Sequence, residues 1–200
     1  MKKSFLLVAL VLLLIPTTAF ASLLSVGPTA VYNVPIGDVD AAEAAAQNFD
    51  AGKISYGADL RLRILFLQAG VVGLVTPGSH AQDFSIAGLV TAGVNFDLGP
   101  VALGLGLGPR LNVQRDNNDW KVTDASGNYI NSTSFKDVFM NAPLVYRLNA
   151  DLNLGGITLG ATYTIDSSYK LSDAKNIAAL APDFENNAGR FGVSVLFNFL

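Results

Sequence analysis

The sequence predicts an all-β fold: an eight-stranded antiparallel up-and-down transmembrane β-barrel with short periplasmic turns and longer external loops. Three observations predict it. The chain is 50% hydrophobic, yet beyond its first segment no apolar stretch approaches the roughly 20 residues that a transmembrane helix needs. Apolar and polar residues alternate with a period of two. The candidate strands are joined by segments that are alternately short and long. Only helices and closed barrels satisfy every backbone group within a bilayer, so these observations together favour the barrel.

Residues 1–21 have the pattern of a secretory signal peptide. Lys2 and Lys3 precede an apolar run over 5–15, and small residues supply a cleavage site after residue 21. A retained anchor is the alternative. We expect the mature chain, 22–200, to form one outer-membrane barrel domain. The chain has no cysteine, which excludes a lipid anchor on cysteine and any disulfide framework.

The charge balance gives no basis for binding nucleic acid. The formal net charge is −3, and it becomes −5 when the two lysines of the signal are removed. Proteins that bind nucleic acid carry an excess of basic residues in a patch or stripe, and an acidic chain is not expected to do so.

Alternation with a period of two defines the strands. In the first strand, apolar residues alternate with Ser, Gly, Thr and Asn, and in the second, which is the clearest, with Ser, Gly, Asp and Arg. The third is rich in Val and apolar on both faces, and it lies between two clear strands. The fourth to the eighth each set Leu, Val, Ile or Phe against Gly, Ser, Thr, Asn and charged residues. We place the strands at 23–33, 53–64, 67–76, 84–97, 101–114, 138–153, 157–166 and 190–200.

The apolar face of these strands carries no charge, although 14% of the chain is charged. This is the pattern of a lipid-facing surface, where Arg or Lys at the bilayer midplane costs about 2–4 kcal/mol. Aromatic residues gather near the strand ends, as in the two interfacial girdles of such barrels. Tyr146, in the middle of a strand, does not fit this scheme.

The lengths of the connections predict the topology. Those at 65–66, 98–100 and 154–156 are tight turns, whereas the connections that carry most of the polar loop residues are longer. Outer-membrane barrels have short periplasmic turns, long external loops and both termini on the inner side. The long connections are 34–52, 77–83, 115–137 and 167–189.

The last strand carries a family resemblance. Its pattern, Phe191-x-Val193-x-Val195-x-Phe197-x-Phe199, is similar to the C-terminal assembly signal of outer-membrane barrels, although Leu200 follows the final aromatic residue. With the signal peptide and the eight-strand pattern, the chain resembles small barrels of the OmpA, OmpX and OmpW type. The resemblance implies an outer-membrane location, contact with outer-membrane lipid and insertion by the barrel-assembly machinery, and we expect a monomer. It does not by itself imply an activity.

The inward face carries the candidate functional residues. The interior of an eight-stranded barrel is just wide enough for side chains to fill it, and Arg suits bidentate pairing with carboxylates in such a site. We therefore predict a lumen charge network that plugs the barrel, with Arg147, Asp151 and Arg110 in one group. A conducting or gated path is the alternative. The inward charged residues are Asp59, Arg61, Arg63, Asp97, Arg110, Arg147, Asp151, Asp166 and Arg190.

Several apolar residues occupy inward-facing positions in the alternation along their strands. These positions predict a partly apolar lumen. The resemblance to OmpW-like barrels implies a narrow hydrophobic interior that passes small hydrophobic solutes. The alternative is that the alternation slips at bulges and some of these residues face lipid. The apolar set is Val31, Val72, Leu74, Leu89, Phe139, Val145 and Leu196, with Val72, Leu74, Leu89 and Val145 as the candidate apolar lumen.

An enzyme is not expected. The single histidine, His80, lies beside Ser79 and near Asp83, a combination compatible with the remote alternative of a lipid A-modifying enzyme. The same residues are ordinary turn composition. The pattern predicts neither a metal site nor a cofactor. A conduit for small hydrophobic molecules is narrowly favoured over a closed-lumen structural or surface adhesion barrel.

Overall fold

The computed structural model describes residues 23–78, 84–116, 119–123, 134–173, 175, 177–181 and 189–199. Within these described residues, two α-helices and three 3-10 helices lie in the connections between strands. The helices are α1 (Val39–Gln47) and α2 (Phe135–Asn141), with 3-10 turns at Ala51–Lys53, Leu171–Asp173 and Ile177–Leu180. The strands are β1 (Leu24–Ile36), β2 (Ile54–Ile64), β3 (Leu67–Pro77), β4 (Phe84–Leu98), β5 (Val101–Asp116), β6 (Asp119–Thr123), β7 (Pro143–Asn153), β8 (Ile157–Lys170) and β9 (Gly189–Phe199).

Eight of these strands close into an antiparallel barrel. Their order is β4-β3-β2-β1-β9-β8-β7-β5, and pairing of β4 with β5 closes the ring. The first and last strands, β1 and β9, pair directly with each other. The short β6 pairs only with the loop-side end of β5 and forms a hairpin that continues above the barrel. The predicted eight-stranded antiparallel barrel is confirmed, and closure leaves no barrel strand with an unpaired edge.

Side chains alternate between the interior and the outer surface along each strand. On β3, Val72 and Leu74 are buried, whereas Val71 and Val75 are exposed. This explains why the strand is apolar on both faces in the sequence. Consecutive side chains of a strand point to opposite faces, so the same alternation places the polar residues of the other strands inside.

The two ends of the barrel differ in their connections. Three tight turns join β2 to β3, β4 to β5 and β7 to β8 at one end, which we call the turn end. Left-handed backbone at Gly99 (φ 79°) and Gly155 (φ 84°) suits glycine in two of these turns. The third turn contains Leu65 at φ 56°, a conformation that costs a non-glycine residue roughly 1–2 kcal/mol. The strand ends that the longer connections join lie at the opposite end, which we call the loop end.

The structure corrects the sequence prediction at the loop end. The strand predicted over 138–153 begins only at Pro143, because the helix α2 occupies its first residues. Alternation over a few residues cannot distinguish a helix from a strand. In the structure, the extended backbone at Ala142 lies between the end of α2 and the start of β7. The strand predicted over 157–166 continues to Lys170, and β6 lies within a segment predicted as a loop.

The helix α1 begins earlier than its sequence indicates. Asp40, followed three residues later by Glu43, has the pattern of an N-cap with a capping box. In the structure Asp38 is the N-cap, and its Oδ1 accepts a hydrogen bond of 2.7 Å from the backbone N–H of Ala41. Asp40 lies in the first turn, where its negative charge interacts favourably with the helix dipole.

Large apolar side chains form a belt over the outer surface of the barrel. They are exposed on seven of the eight barrel strands, and Leu24 and Val26 on β1 are half-buried. The only charged residue at an outward position of the described strands is Arg115, at the loop end of β5, where its guanidinium carbon lies 5.9 Å from the ring centroid of Phe84. We call this surface the apolar belt, and it includes Leu60, Val71, Val90, Leu103, Leu105, Leu148, Leu159, Val193 and Val195.

No helix within the described part of the chain is both long enough and apolar enough to cross a membrane.

Candidate functional site in the barrel interior

Glycines on the inner wall make room for long polar side chains from other strands. A Cβ added to Gly160 would lie 2.7 Å from a carboxylate oxygen of Asp151 and 3.1 Å from a guanidinium nitrogen of Arg61. A Cβ on Gly104 would collide with the amide of Gln68, 2.5 Å from its oxygen. The interior is therefore filled by a few long side chains that pack against glycines of the inner wall, as expected for a barrel of this width.

Five charged residues form an ion-paired group near the turn end, which we call the closing cluster: Asp59, Arg61, Arg63, Arg147 and Asp151. Nη1 of Arg61 donates to both carboxylate oxygens of Asp151 at 2.6 Å, and its Nη2 lies 2.7 Å from Oδ2 of Asp59. Arg147 donates to the same Asp59 from two nitrogens, at 3.1 and 2.5 Å. Arg63 donates to Asp151. Every side chain of the cluster is at most 3% exposed.

The closing cluster spans the full width of the lumen. Its residues come from β2 and β7, which are four strands apart in either direction around the ring and therefore lie opposite each other. Three guanidiniums and two carboxylates give it a formal charge of +1. Buried ions are tolerated when they are paired and hydrogen-bonded, and this group meets that condition with direct contacts across the interior.

Some buried polar atoms near the closing cluster have no hydrogen-bond partner. These atoms are Nε and Nη1 of Arg63, Oε1 of Gln68, Oδ1 of Asn95 and Oδ1 of Asn149. They include donors and acceptors on β2, β3, β4 and β7, all toward the turn end. Groups of this kind in protein interiors are usually bridged by ordered water.

A second charged group, which we call the upper trio, lies nearer the loop end and consists of Arg110, Asp166 and Arg190. Nη1 of Arg190 donates to Oδ2 of Asp166 at 2.6 Å, and Nη1 of Arg110 lies 3.5 Å from its Oδ1. The side chains are 14%, 8% and 19% exposed, in chain order. Two cations therefore share one carboxylate, and the trio carries a formal charge of +1.

A small cavity, which we call the chamber, separates the two charged groups. Its volume is about 20 Å³, enough for one or two water molecules. One side is apolar, and the other presents guanidinium and hydroxyl groups. The chamber is lined by Thr29, Val31, Val72, Leu74, Ala87, Leu89, Arg110, Arg147, Thr162, Thr164 and Arg190.

The structure brings most of the predicted charged residues into these two groups, with two differences. The sequence predicts that Arg110 joins Arg147 and Asp151. It instead pairs with Asp166, because it projects from β5 at a level above the closing cluster. The carboxylate of Asp97 is half-buried near the turn end, where it accepts a hydrogen bond of 3.0 Å from Asn95, and it belongs to neither group.

The four candidate apolar residues lie together. Val72, Leu74, Leu89 and Val145 form one buried cluster with Ala87, and Val31 packs against it. Val145 is fully buried. Of the wider apolar set, Leu196 is also fully buried but lies outside this cluster. The prediction of an inward strand position for Phe139 is wrong, since it lies in the helix α2.

Three threonines of the site were not singled out from the sequence. Thr29 on β1 and Thr162 and Thr164 on β8 lie on inward faces and line the chamber. Their inward positions follow from the alternation. Threonine is so common on the inner faces of these strands, however, that nothing local distinguished the three that border a cavity.

Tyr146, which does not fit an aromatic girdle, has a local role. Its hydroxyl donates a hydrogen bond of 2.5 Å to the backbone carbonyl of Leu180. The 3-10 turn Ile177–Leu180 contacts β8, and nearby Ile165 is buried despite its outward position. A segment of the last loop therefore covers part of the outer wall near the loop end.

The remaining candidate residues, His80 with Ser79 and Asp83, lie outside the described residues. Within the part of the chain that the structure describes, no group of three or more His, Cys, Asp or Glu is arranged to hold a metal ion. Comparison of the chain with models of protein families, with curated proteins and with solved structures finds no match.

Proposed function

We propose that the protein is an integral outer-membrane β-barrel whose lumen is closed by ion pairs, so that it serves as a structural or surface-contact element of the cell envelope. The observation that carries this proposal is the inverted polarity of the barrel. Charged side chains fill its interior, and large apolar side chains cover its outside. Monomeric soluble proteins rarely expose apolar patches larger than a few hundred Å², whereas an apolar outer band is what a barrel in lipid requires.

The closing cluster supports a lumen that does not conduct. Arg61 reaches across from β2 to Asp151 on β7, and both side chains are almost completely buried. An ion that passed along the axis would have to displace these contacts. Breaking a buried pair typically costs about 3–5 kcal/mol, so we expect very low steady conductance.

The orientation in the envelope follows from the two ends of the barrel. Short turns on the periplasmic side and longer loops outside are the usual arrangement of bacterial outer-membrane barrels. The turn end would then face the periplasm, and the loop end would face the surroundings, where the external loops are available for contacts. Export through the signal peptide and insertion by the barrel-assembly machinery belong to the same proposal.

A charge placed in the apolar belt tests the location. Val90 is 51% exposed near the middle of β4. Val90→Arg should make the free energy of folding into lipid vesicles less favourable by about 2–4 kcal/mol. Val90→Ala should fold almost normally. Native protein should fractionate with outer membranes and begin at Ser22. A soluble periplasmic product, or equal folding of the two variants in vesicles, would contradict the proposal.

A second candidate function is passage of small hydrophobic solutes, and the apolar side of the chamber favours it. Leu89 and its neighbours form a buried apolar surface within the lumen. Leu89→Asp should then slow uptake of a small apolar compound into liposomes that contain the folded protein, with folding checked by heat-modifiable gel mobility. If wild-type protein moves the compound no faster than empty liposomes do, this second candidate fails and the closed-lumen proposal is unaffected.

A further inference from the structure

We propose that the chamber binds the carboxylate of a small monocarboxylic acid between Arg110 and Arg190, with the short apolar part of the acid against Val72, Leu74 and Leu89. This proposal needs only binding. It does not depend on passage of solutes or on the location of the barrel.

The charge of the upper trio is the first support. Arg110 and Arg190 share the single carboxylate of Asp166, and only Arg190 makes a short contact with it, at 2.6 Å. The contact from Arg110 is 3.5 Å. Among the described residues, the one side-chain hydrogen bond of Arg110 runs from Nε to Oδ1 of Asn112, at 3.2 Å. A buried cation without close pairing is costly, and a carboxylate can accept two parallel hydrogen bonds from one guanidinium.

The remaining polar groups of the chamber also suit an anion. Thr162 and Thr164 line it, and within the described chain their hydroxyls make no hydrogen bond, so both are available as donors. Arg147 lines the chamber as well and is held by Asp59 at 2.5 and 3.1 Å. No Asp or Glu is among the described residues that line the chamber. A negatively charged ligand would therefore meet several donors and no carboxylate on the wall.

The apolar side of the chamber selects among anions. Val72, Leu74 and Leu89 come from β3 and β4, and they lie together with Ala87 in the buried apolar cluster. An inorganic anion would leave this surface in contact with water, whereas the methyl group of a short acid would pack against it. Burial of one such carbon contributes about 0.8 kcal/mol. Sites for small molecules commonly combine an apolar wall with a few polar anchors in this way.

The size of the chamber limits the ligand. A volume of about 20 Å³ holds one or two water-sized groups, which is comparable to the carboxylate and the methyl group of acetate. Acetate therefore fits this space better than a longer fatty acid or an aromatic acid.

Calorimetry on the refolded protein in detergent tests the proposal, with empty micelles as the blank. The probes are acetate, ethanol, ethylammonium and inorganic phosphate. We expect acetate to bind at one site, and the other three to bind at least about tenfold more weakly, since each lacks either the charge-assisted hydrogen bonds or the apolar part. Equal binding of acetate and phosphate, equal binding of acetate and ethanol, or no binding of acetate would each overturn it.

Matched variants locate the site. Arg190→Met removes one cation of the upper trio but leaves Asp166 paired with Arg110, so the barrel should fold, and acetate binding should fall about tenfold. Arg115→Met removes a cation from the outer side of the same end and should change binding less than twofold. Thr164→Val, which keeps the shape of the side chain, should weaken binding severalfold without loss of folded protein. Equal effects of Arg190→Met and Arg115→Met would show that the acid does not bind in the chamber.

Discussion

The charge balance of the closing cluster predicts that loss of a carboxylate destabilises the barrel more than loss of a guanidinium. Asp151 accepts hydrogen bonds from Arg61 at 2.6 Å and from Arg63. Asp151→Asn would raise the formal charge of the cluster from +1 to +2 and leave Arg63 without a carboxylate. Removing one partner from a buried pair typically costs about 3–5 kcal/mol, and we expect the free energy of unfolding to fall by this amount.

Removal of the cation should have a much smaller effect. Arg63→Met would bring the cluster from +1 to neutral and leave Asp151 paired with Arg61. It would also remove two buried nitrogens of Arg63 that have no partner, and each unsatisfied group of this kind costs about 1–3 kcal/mol. We therefore expect a loss of no more than about 1 kcal/mol. The double variant returns the cluster to +1, so it should be more stable than Asp151→Asn alone by at least about 1 kcal/mol.

The measurement is equilibrium unfolding by urea in lipid vesicles, followed by circular dichroism and by heat-modifiable gel mobility. Asp40→Asn is the control, because it removes the same charge from the exposed first turn of α1, and it should change stability by less than about 0.5 kcal/mol. If Arg63→Met destabilises the barrel as much as Asp151→Asn does, the reasoning from charge balance is wrong.

Three further predictions concern space, loop attachment and the backbone. Gly160→Ala should destabilise the barrel by about 1–3 kcal/mol through overpacking, whereas Gly88→Ala, where a Cβ would meet nothing within 4 Å, should not; equal unfolding midpoints would contradict this. Tyr146→Phe should cost about 1 kcal/mol and speed hydrogen exchange in the last loop, and unchanged exchange relative to Tyr56→Phe would refute the contact. Leu65→Asn should stabilise the turn by about 1 kcal/mol, because Asn tolerates left-handed backbone, and a lower unfolding midpoint would count against strain there.

Much of the barrel could be predicted because the information is local. Side chains of a strand alternate strictly between two faces, so the positions of Asp59, Arg61 and Arg63 on one face of β2 follow from their spacing alone. The same holds for Val72 and Leu74 on β3. Glycine-containing turns such as the one at Gly99 mark where strands reverse, and only a closed barrel pairs every strand.

The loop end could not be predicted in the same way. The residues of α2 alternate over too short a stretch to separate a helix from a strand, and Pro143 begins the strand only after the helix has ended. The role of Tyr146 depends on a loop segment more than thirty residues later in the chain, whose carbonyl accepts its hydrogen bond. No pattern near Tyr146 contains that information.

The sequence by itself determined which residues face the interior, and the tertiary structure decided which of them meet. Arg61 and Asp151 are ninety residues apart in the chain, and they pair because β2 and β7 lie opposite each other in the closed ring. Arg110 has the same inward parity as Arg147, yet its level along the barrel places it with Asp166. Parity is a property of one strand, whereas pairing across a lumen depends on the order of all the strands and on their relative register.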